Sequence, residues 1–110
     1  MAGKFELKKT ESGKYMFNLK AGNGQIILVS QMYESKDSAE NGIESVRRNS
    51  ADDARFERKV AKNGEPFFSL TATNGQNIGK SETYSSESAM ENGVESVKTN
   101  APDAEVVDNT

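Results

Sequence analysis

The sequence contains no cysteine and no histidine. Without cysteine the chain has neither disulfides nor thiolate chemistry. Without histidine it lacks the commonest protein metal ligand and the usual general base. No combination of base, nucleophile and oxyanion donor can be named among the remaining residues. We therefore predict no metal and no cofactor, and we expect that the protein is not an enzyme.

Long apolar runs are absent too. No stretch approaches the roughly 20 apolar residues that a membrane-spanning helix needs. The first residues, Met1-Ala2-Gly3-Lys4, lack the apolar core of a signal peptide. A formal charge of −3 does not favour non-specific binding to nucleic acid. We expect a cytoplasmic protein without a membrane partner.

The apolar content is low. Only 34% of the 110 residues are apolar, which is enough for one modest core. At this length we expect a single domain, 1–110. A core with so few apolar residues suits a single sheet that is covered on one face.

What the sequence does contain is a repeat. Glu40-Asn41-Gly42-Ile43-Glu44-Ser45-Val46 returns 51 positions later as Glu91-Asn92-Gly93-Val94-Glu95-Ser96-Val97. When 5–57 is aligned with 56–108 at this offset, no gap is needed, and about 22 of the 53 pairs are identical. The chain is therefore a tandem duplication, with repeat 1 at 4–57 and repeat 2 at 55–108.

No linker separates the repeats. Arg55-Phe56-Glu57 aligns with Val106-Val107-Asp108 as the end of a repeat and with Lys4-Phe5-Glu6 as a beginning. A strand at about 54–60 is therefore shared by both repeats. This sharing favours one continuous fold over two separate domains.

Each repeat has the pattern of three strands, a helix and a further strand. Apolar alternation marks the strands, and an apolar stripe after an N-capping serine, Ser35 or Ser86, marks each helix. The predicted strands are 4–9, 14–21, 25–30, 54–60, 67–72, 76–80 and 104–107, and the helices are 36–49 and 86 to about 99.

The turn at 22–24 leaves two registers for the third strand. A two-residue turn pairs Leu19 with Leu28, whereas a three-residue loop pairs Leu19 with Ile27. Repeat 2 keeps an isoleucine, Ile78, at the position of Ile27 but has Gly79 at that of Leu28. We therefore predict the three-residue loop, with Ile27 facing the core and Leu28 facing away.

The predicted fold class is α+β. Each helix has one apolar stripe, so both helices must cover the same sheet or each other. We predict two tandem β(3)-α-β repeats that share one antiparallel sheet of about seven strands, with both helices on one face.

The chain also resembles a known family. The doubled pattern of Tyr-x-Ser, a helix with Gly-Ile/Val-x-Ser-Val, and Asn-Ser/Ala is similar to that of the YegP-like family of uncharacterised proteins. The resemblance covers nearly the whole chain. It implies that the C-terminal strand of each repeat is swapped onto the other repeat. It also implies a monomer that is a pseudo-dimer of repeats. The family has no established activity, so the resemblance assigns no site residues.

Positions at which the repeats differ suggest a partner surface. In the predicted register Met16, Ile26 and Leu28 lie together on the face away from the helices, where repeat 2 has only Phe67 as an apolar residue. An exposed apolar patch can mark a partner surface. The sheet edge is an alternative site, which would accept a strand from a partner.

A second candidate surface is basic. Arg47, Arg48, Arg55 and Arg58 cluster in sequence around the junction, and their counterparts in repeat 2 are largely not basic. They form a candidate anion patch, although no aromatic RNA-stacking signature accompanies them.

The repeated motif itself is more typical of structure than of chemistry. Gly42 and Gly93, on the inner helix faces, indicate close backbone approach to the sheet or to the other helix. Ser45 and Ser96 have no identifiable base that would make them nucleophiles. Our leading hypothesis is a protein- or peptide-binding or structural module with an unknown protein partner. The alternatives are a nucleic-acid-associated accessory protein, and a small-ligand binder or enzyme of unknown type.

Overall fold

Seven strands and two helices form the computed structural model, which describes residues 3–110. The predicted α+β class is confirmed. The strands are β1 (Lys4–Lys9), β2 (Tyr15–Lys20), β3 (Ile26–Val29), β4 (Phe56–Val60), β5 (Pro66–Thr71), β6 (Asn77–Lys80) and β7 (Glu105–Asp108). The helices are α1 (Lys36–Asn49) and α2 (Glu87–Asn100), and short 3-10 turns lead from them into β4 and β7.

Both helices begin where a serine caps them. The hydroxyl of Ser35 accepts a hydrogen bond from the N–H of Ser38 at 3.1 Å, and Ser86 does the same for Ala89. Each cap satisfies one of the backbone donors that a helix start leaves without a partner. Along α1 the buried residues recur at helical spacing: Ala39, Gly42, Ile43, Val46 and Asn49.

The shared strand is shorter than predicted. It begins at Phe56, because Ala54 and Arg55 belong to the 3-10 turn Asp53–Arg55. The side chain of Asp52 caps this turn by accepting a hydrogen bond from the N–H of Ala54 at 3.0 Å.

The sheet order is β4-β5-β6-β3-β2-β1-β7. The last strand of each repeat pairs with the other repeat: β4 lies beside β5, and β7 lies beside β1. The predicted antiparallel arrangement is right for five of the six neighbouring pairs and wrong for β1 and β7, which are parallel. Hairpins enforce antiparallel pairing, but β7 is reached from a helix, and such a connection permits a parallel neighbour.

A β-bulge changes the register of β3. The three-residue loop is present, with the N–H of Ala21 donating to the carbonyl of Gln25 at 2.9 Å. Beyond the loop the register shifts, so that Leu19 pairs with Leu28 and Ile27 is the extra residue. Ile27 and Leu28 are consequently both buried, at 5% and 0% exposure. The prediction that Leu28 faces away from the core is therefore wrong.

The two repeats join at a seam between β3 and β6, where Val29 pairs with Lys80. On the helix side of the seam, Leu28 meets its own counterpart, Gly79. A Cβ atom on Gly79 would lie 2.7 Å from the Cδ2 of Leu28. Gly79 is not among the glycines with positive φ, so space rather than backbone conformation favours glycine there.

Both helices lie across the seam. α1 contacts β1 and β2 of its own repeat and also β5 and β6, while α2 contacts β5 and β3. The core beneath them draws on both repeats in matching sets, which include Phe5, Phe17, Leu19, Phe56, Phe68 and Leu70. Because the helices cover strands of both repeats, the two repeats share one core.

We predict that Leu28 and Gly79 are energetically coupled. Leu28→Ala should lower the free energy of unfolding by about 2–5 kcal/mol, because it leaves a cavity. Gly79→Ala should lower it by about 1–3 kcal/mol, because the new methyl group displaces Leu28. In the double variant the methyl group enters the cavity. Urea denaturation should therefore show a combined loss smaller than the sum of the single losses by about 1 kcal/mol or more. Additive losses would contradict the proposed contact.

Candidate functional site

The outer face of the sheet, away from the helices, carries three of the four predicted partner-surface residues. Met16, Ile26 and Phe67 lie there and are half-buried. Leu28 lies in the core instead, and Val29 takes its place on the outer face.

Each of the three outer-face residues has a lysine beside it. The pairs are Lys8 opposite Met16, Lys20 opposite Ile26, and Lys80 with its Nζ 5.1 Å from the ring centre of Phe67. Lysine stems cover apolar surface while their charged ends reach water. Lysine side chains therefore border these apolar side chains on the outer face.

The structure spreads the four arginines over three elements. Arg47, at the end of α1, donates to the backbone carbonyl of Ala104, which leads into β7. Arg58 lies on β4, at the opposite edge of the sheet. Arg48 lies on α1, and Arg55 lies in the turn before β4. The chain crosses the sheet between α1 and β4, so arginines that are close in sequence do not form one patch.

Arg58 belongs to an ion-pair network at the β4 edge. Its guanidinium donates to Glu91 on α2 at 2.6 Å and to Asp53 at 3.0 Å. Lys98 also donates to Asp53, at 2.6 Å. The hydrogen bond from Arg58, with a further one from Lys98, lowers the pKa of the Asp53 carboxyl to about 2. Hydrogen bonds to Glu91 and Asp53 raise the pKa of Arg58.

The backbone of β4 faces outward at alternate residues. At the β4–β5 turn the N–H of Ala61 donates to the carbonyl of Glu65 at 2.8 Å. In an antiparallel pair, residues that bond to the neighbour alternate with residues that bond away from it. Arg58 and Val60 therefore direct their N–H and C=O groups away from β5, and Val60 is 70% exposed.

The equivalent edge of β1 is occupied. Leu7 is the counterpart of Arg58, and its carbonyl accepts a hydrogen bond from the N–H of Asn109, just after β7, at 2.8 Å. The side chain of Asp108 on β7 forms an ion pair with Lys36 in the first turn of α1. At the β4 edge the counterpart of Lys36 is Glu87. The two edges thus differ in both coverage and charge.

Two clefts lie between the helix of one repeat and a hairpin turn of the other. The α1 cleft, of about 540 Å³, is lined by residues that include Asn41, Gly42, Ser45, Asn74, Gln76 and Ile78. The α2 cleft, of about 320 Å³, is lined by the counterparts Asn92, Gly93, Ser96, Asn23, Gln25 and Ile27. The repeated motif of the helices therefore forms one wall of each cleft.

A tyrosine explains the glycine in each motif. A Cβ atom on Gly42 would lie 2.4 Å from the hydroxyl oxygen of Tyr33, and one on Gly93 would lie 2.3 Å from that of Tyr84. The ring of Tyr33 stacks on Phe17 with 6.1 Å between ring centres. The predicted close approach is thus made by a tyrosine side chain of the same repeat and, next nearest, by a sheet residue, Phe17 or Phe68, and not by the other helix.

Sequence reasoning missed the two clefts. Each cleft joins a helix to a turn that lies more than 20 positions away in the sequence, and only the sheet order brings them together. The usable signal was present, since seven lining residues of the α1 cleft have their repeat counterparts in the lining of the α2 cleft.

Among residues 3–110, no group of three acidic, cysteine or histidine side chains is placed to hold a metal ion. Within the same residues, no helix is long and apolar enough to cross a membrane.

Comparison with known proteins identifies relatives along the full chain. A family model described as "Domain of unknown function (DUF1508)" matches twice, at residues 11–57 and 61–108, which fits the duplication. The chain is 56% identical over 110 residues to a UPF0339 protein of Bordetella pertussis, covering 100% of this chain and 98% of that one. It is 50% identical over 110 residues to the UPF0339 protein YegP of Escherichia coli, covering 100% of both chains.

Two solved structures have the same fold. The solution NMR structure of YegP from Escherichia coli matches with a TM-score of 0.95 at 50% identity, covering 100% of this chain and 95% of that chain. The solution NMR structure of a UPF0339 protein from Shewanella oneidensis matches with a TM-score of 0.93 at 47% identity, covering 98% and 92%. The YegP structure is described as that of a protein of unknown function.

The Asp53 ion pairs predict a specific pH dependence of stability. Because the folded pKa of Asp53 is about 2, below its ordinary value of 3.8, the carboxylate stabilises the fold above the ordinary value. This stabilisation is lost as the pH falls through the folded pKa. The difference in unfolding free energy between wild type and Asp53→Asn should be constant above about pH 5 and shrink between about pH 4 and pH 2.

The control for this measurement is ionic strength. At about 1 M NaCl, where the screening length is about 3 Å, the difference between the two proteins should shrink at every pH. A difference that is independent of pH between about 2 and 5 would contradict the ion-pair assignment.

Proposed function

The chain belongs to the DUF1508 family, and from that premise we propose that it is a protein- or peptide-binding module and not an enzyme. The family description names no activity. The lack of histidine and cysteine, and of a base beside either motif serine, supports a non-catalytic role. The open edge of β4 is the surface on which we place the binding.

One observation carries the proposal: β1 has a strand on its outer edge, and its counterpart β4 has none among the described residues. β7 shows which neighbour this kind of edge accepts, because it pairs in parallel with β1 over four residues. On β4 the outward N–H and C=O groups of Arg58 and Val60 are available for the same pairing. Addition of an extended peptide to such an edge is a common recognition mode, in which the main chain supplies affinity.

The side chains at this edge favour a basic peptide. Asp108 of β7 forms an ion pair with Lys36 in the first turn of α1, and the counterpart of Lys36 in the first turn of α2 is Glu87. A peptide residue in the place of Asp108 therefore meets a carboxylate, and a lysine or arginine would complement it. The carboxylate of Glu87 would repel Asp108 if β7 of a second copy added to β4. It therefore disfavours exchange of β7 between two copies.

The partner is thus expected to be an extended segment that runs parallel to β4. Val60 is apolar and exposed where β1 has Lys9, so apolar contact with the partner adds to the main-chain hydrogen bonds. Arg58 is already held by Glu91 and Asp53, which leaves Glu87 as the charge that selects the partner.

The prediction is tested with two octapeptides. One copies residues 103–110, and the other is the same peptide with Asp108→Lys. The lysine peptide should bind about fivefold more tightly at low ionic strength, because a surface ion pair contributes up to about 1 kcal/mol. Titrations followed by NMR on isotope-labelled protein should shift the backbone signals of Arg58 and Val60.

A charge reversal provides the matched control. In Glu87→Lys the preference should invert, with the unmodified octapeptide binding more tightly. Val60→Pro should weaken both peptides, because it removes a donor that points away from β5 and leaves the ladder intact. Val106→Lys, on β7 at the other edge, should change nothing. Strand addition at this edge would be refuted if neither peptide shifts the β4 signals. It would also be refuted if Glu87→Lys leaves the preference between the peptides unchanged.

A further inference from the structure

Some residues that line the α1 and α2 clefts are the same in both repeats but make no contact that would explain this identity. Most of the shared lining residues have a task within the chain. Asn74 and Asn23 accept hydrogen bonds from the N–H groups of Gln76 and Gln25 at 2.9 and 3.0 Å, which closes the two turns.

The serines of the motif are also accounted for. Ser45 accepts a hydrogen bond from the amide group of Asn49 at 3.2 Å, and Ser96 does so from Asn100. The asparagines Asn49 and Asn100 are themselves buried. These contacts explain four repeated residues as helix structure.

Four repeated side chains remain. Asn41 and Gln76 both line the α1 cleft, and their counterparts Asn92 and Gln25 both line the α2 cleft. All four are exposed, and within residues 3–110 their carboxamides make no side-chain hydrogen bond.

Some exposed positions elsewhere on the helices have diverged, whereas Glu40 and Glu44 are retained as Glu91 and Glu95. Lys36 corresponds to Glu87, Asp37 to Ser88, and Arg48 to Thr99. The retained glutamates Glu44, Glu91 and Glu95 form ion pairs, whereas the retained carboxamides have no such partner among the described residues, which points to a role outside the fold. Each cleft combines an asparagine from one repeat with a glutamine from the other. The same explanation must therefore hold for both clefts.

The chemistry common to both clefts is uncharged. At equivalent positions each has one glutamine and two asparagines together with isoleucine and alanine, and the α1 cleft has a third asparagine, Asn49. A carboxamide offers N–H donors next to a carbonyl acceptor, which matches another amide. The charged residues Arg48 and Asp52 line the α1 cleft alone and do not define the shared site.

We propose that the α1 and α2 clefts are a duplicated binding site for an uncharged small molecule that carries an amide group. Their volumes, about 540 and 320 Å³, lie within the range of ligand pockets. The amide can belong to a short peptide or to an N-acetylated sugar. These molecules carry the same group on different scaffolds. This site is separate from the β4 edge.

The test uses four probes at tens of millimolar with isotope-labelled full-length protein. N-acetylglucosamine and N-acetylglycine N-methylamide carry the amide, glucose carries hydroxyls alone, and acetate is the charged analogue of the acetamide group. The amide probes should shift the side-chain NH₂ signals of Asn41, Asn92, Gln25 and Gln76, whereas glucose and acetate should not. A response to one amide probe only identifies the source of the amide.

Each cleft is the control for the other. Asn41→Ala should weaken binding in the α1 cleft about two- to tenfold, the loss of one or two hydrogen bonds, and leave the α2 cleft unchanged. Asn92→Ala should have the converse effect. Both positions are exposed and helical, where alanine is well tolerated, so the variants should fold. The absence of shifts with both amide probes, equal shifts with acetate or glucose, or shifts that survive the variants would overturn the proposal.

Val60→Pro separates this proposal from strand addition at β4. It should leave the response of the clefts to the amide probes intact. Loss of that response in Val60→Pro would contradict a separate site.

Discussion

The architecture depends on a contact between two equivalent residues. β3 and β6 meet at the pseudo-twofold axis that relates the repeats, so Leu28 meets Gly79 there. Two leucines would overlap at this point and two glycines would leave a void, whereas a close-packed interior tolerates neither. The unlike pair lets the two halves form one continuous sheet, and the helices can then cross the seam. The shared core and the two clefts both follow from that crossing.

The connection between the repeats breaks this symmetry. Repeat 1 cannot end in a separate edge strand, because its last residues are already the first strand of repeat 2. The last residues of repeat 2 form the separate strand β7. The side chains agree with this difference: Leu7 is buried beneath α1 and β7, whereas its counterpart Arg58 is charged and paired with Glu91 and Asp53. Charged residues on β4 also limit indiscriminate pairing of its edge.

The candidate sites were only partly accessible from the sequence. Met16, Ile26 and Phe67 lie on the predicted face because strand alternation determines the face locally. Leu28 does not, because the bulge at Ile27 turns two consecutive residues inward. The arginine cluster was an inference from sequence distance, and the crossing from α1 to β4 separates its members. The clefts required a sheet order that apolar alternation does not encode.

The sequence by itself determined the duplication, the α+β class, the extents of both helices and the expectation of a close approach at Gly42 and Gly93. Each of these depends on local periodicity, on capping residues or on a comparison of the two copies. The tertiary structure alone decided the parallel pairing of β7, the register beyond the bulge, the open edge of β4 and the convergence of Asn41 with Gln76. These features depend on which distant strands become neighbours, and that is decided by the packing of the whole chain.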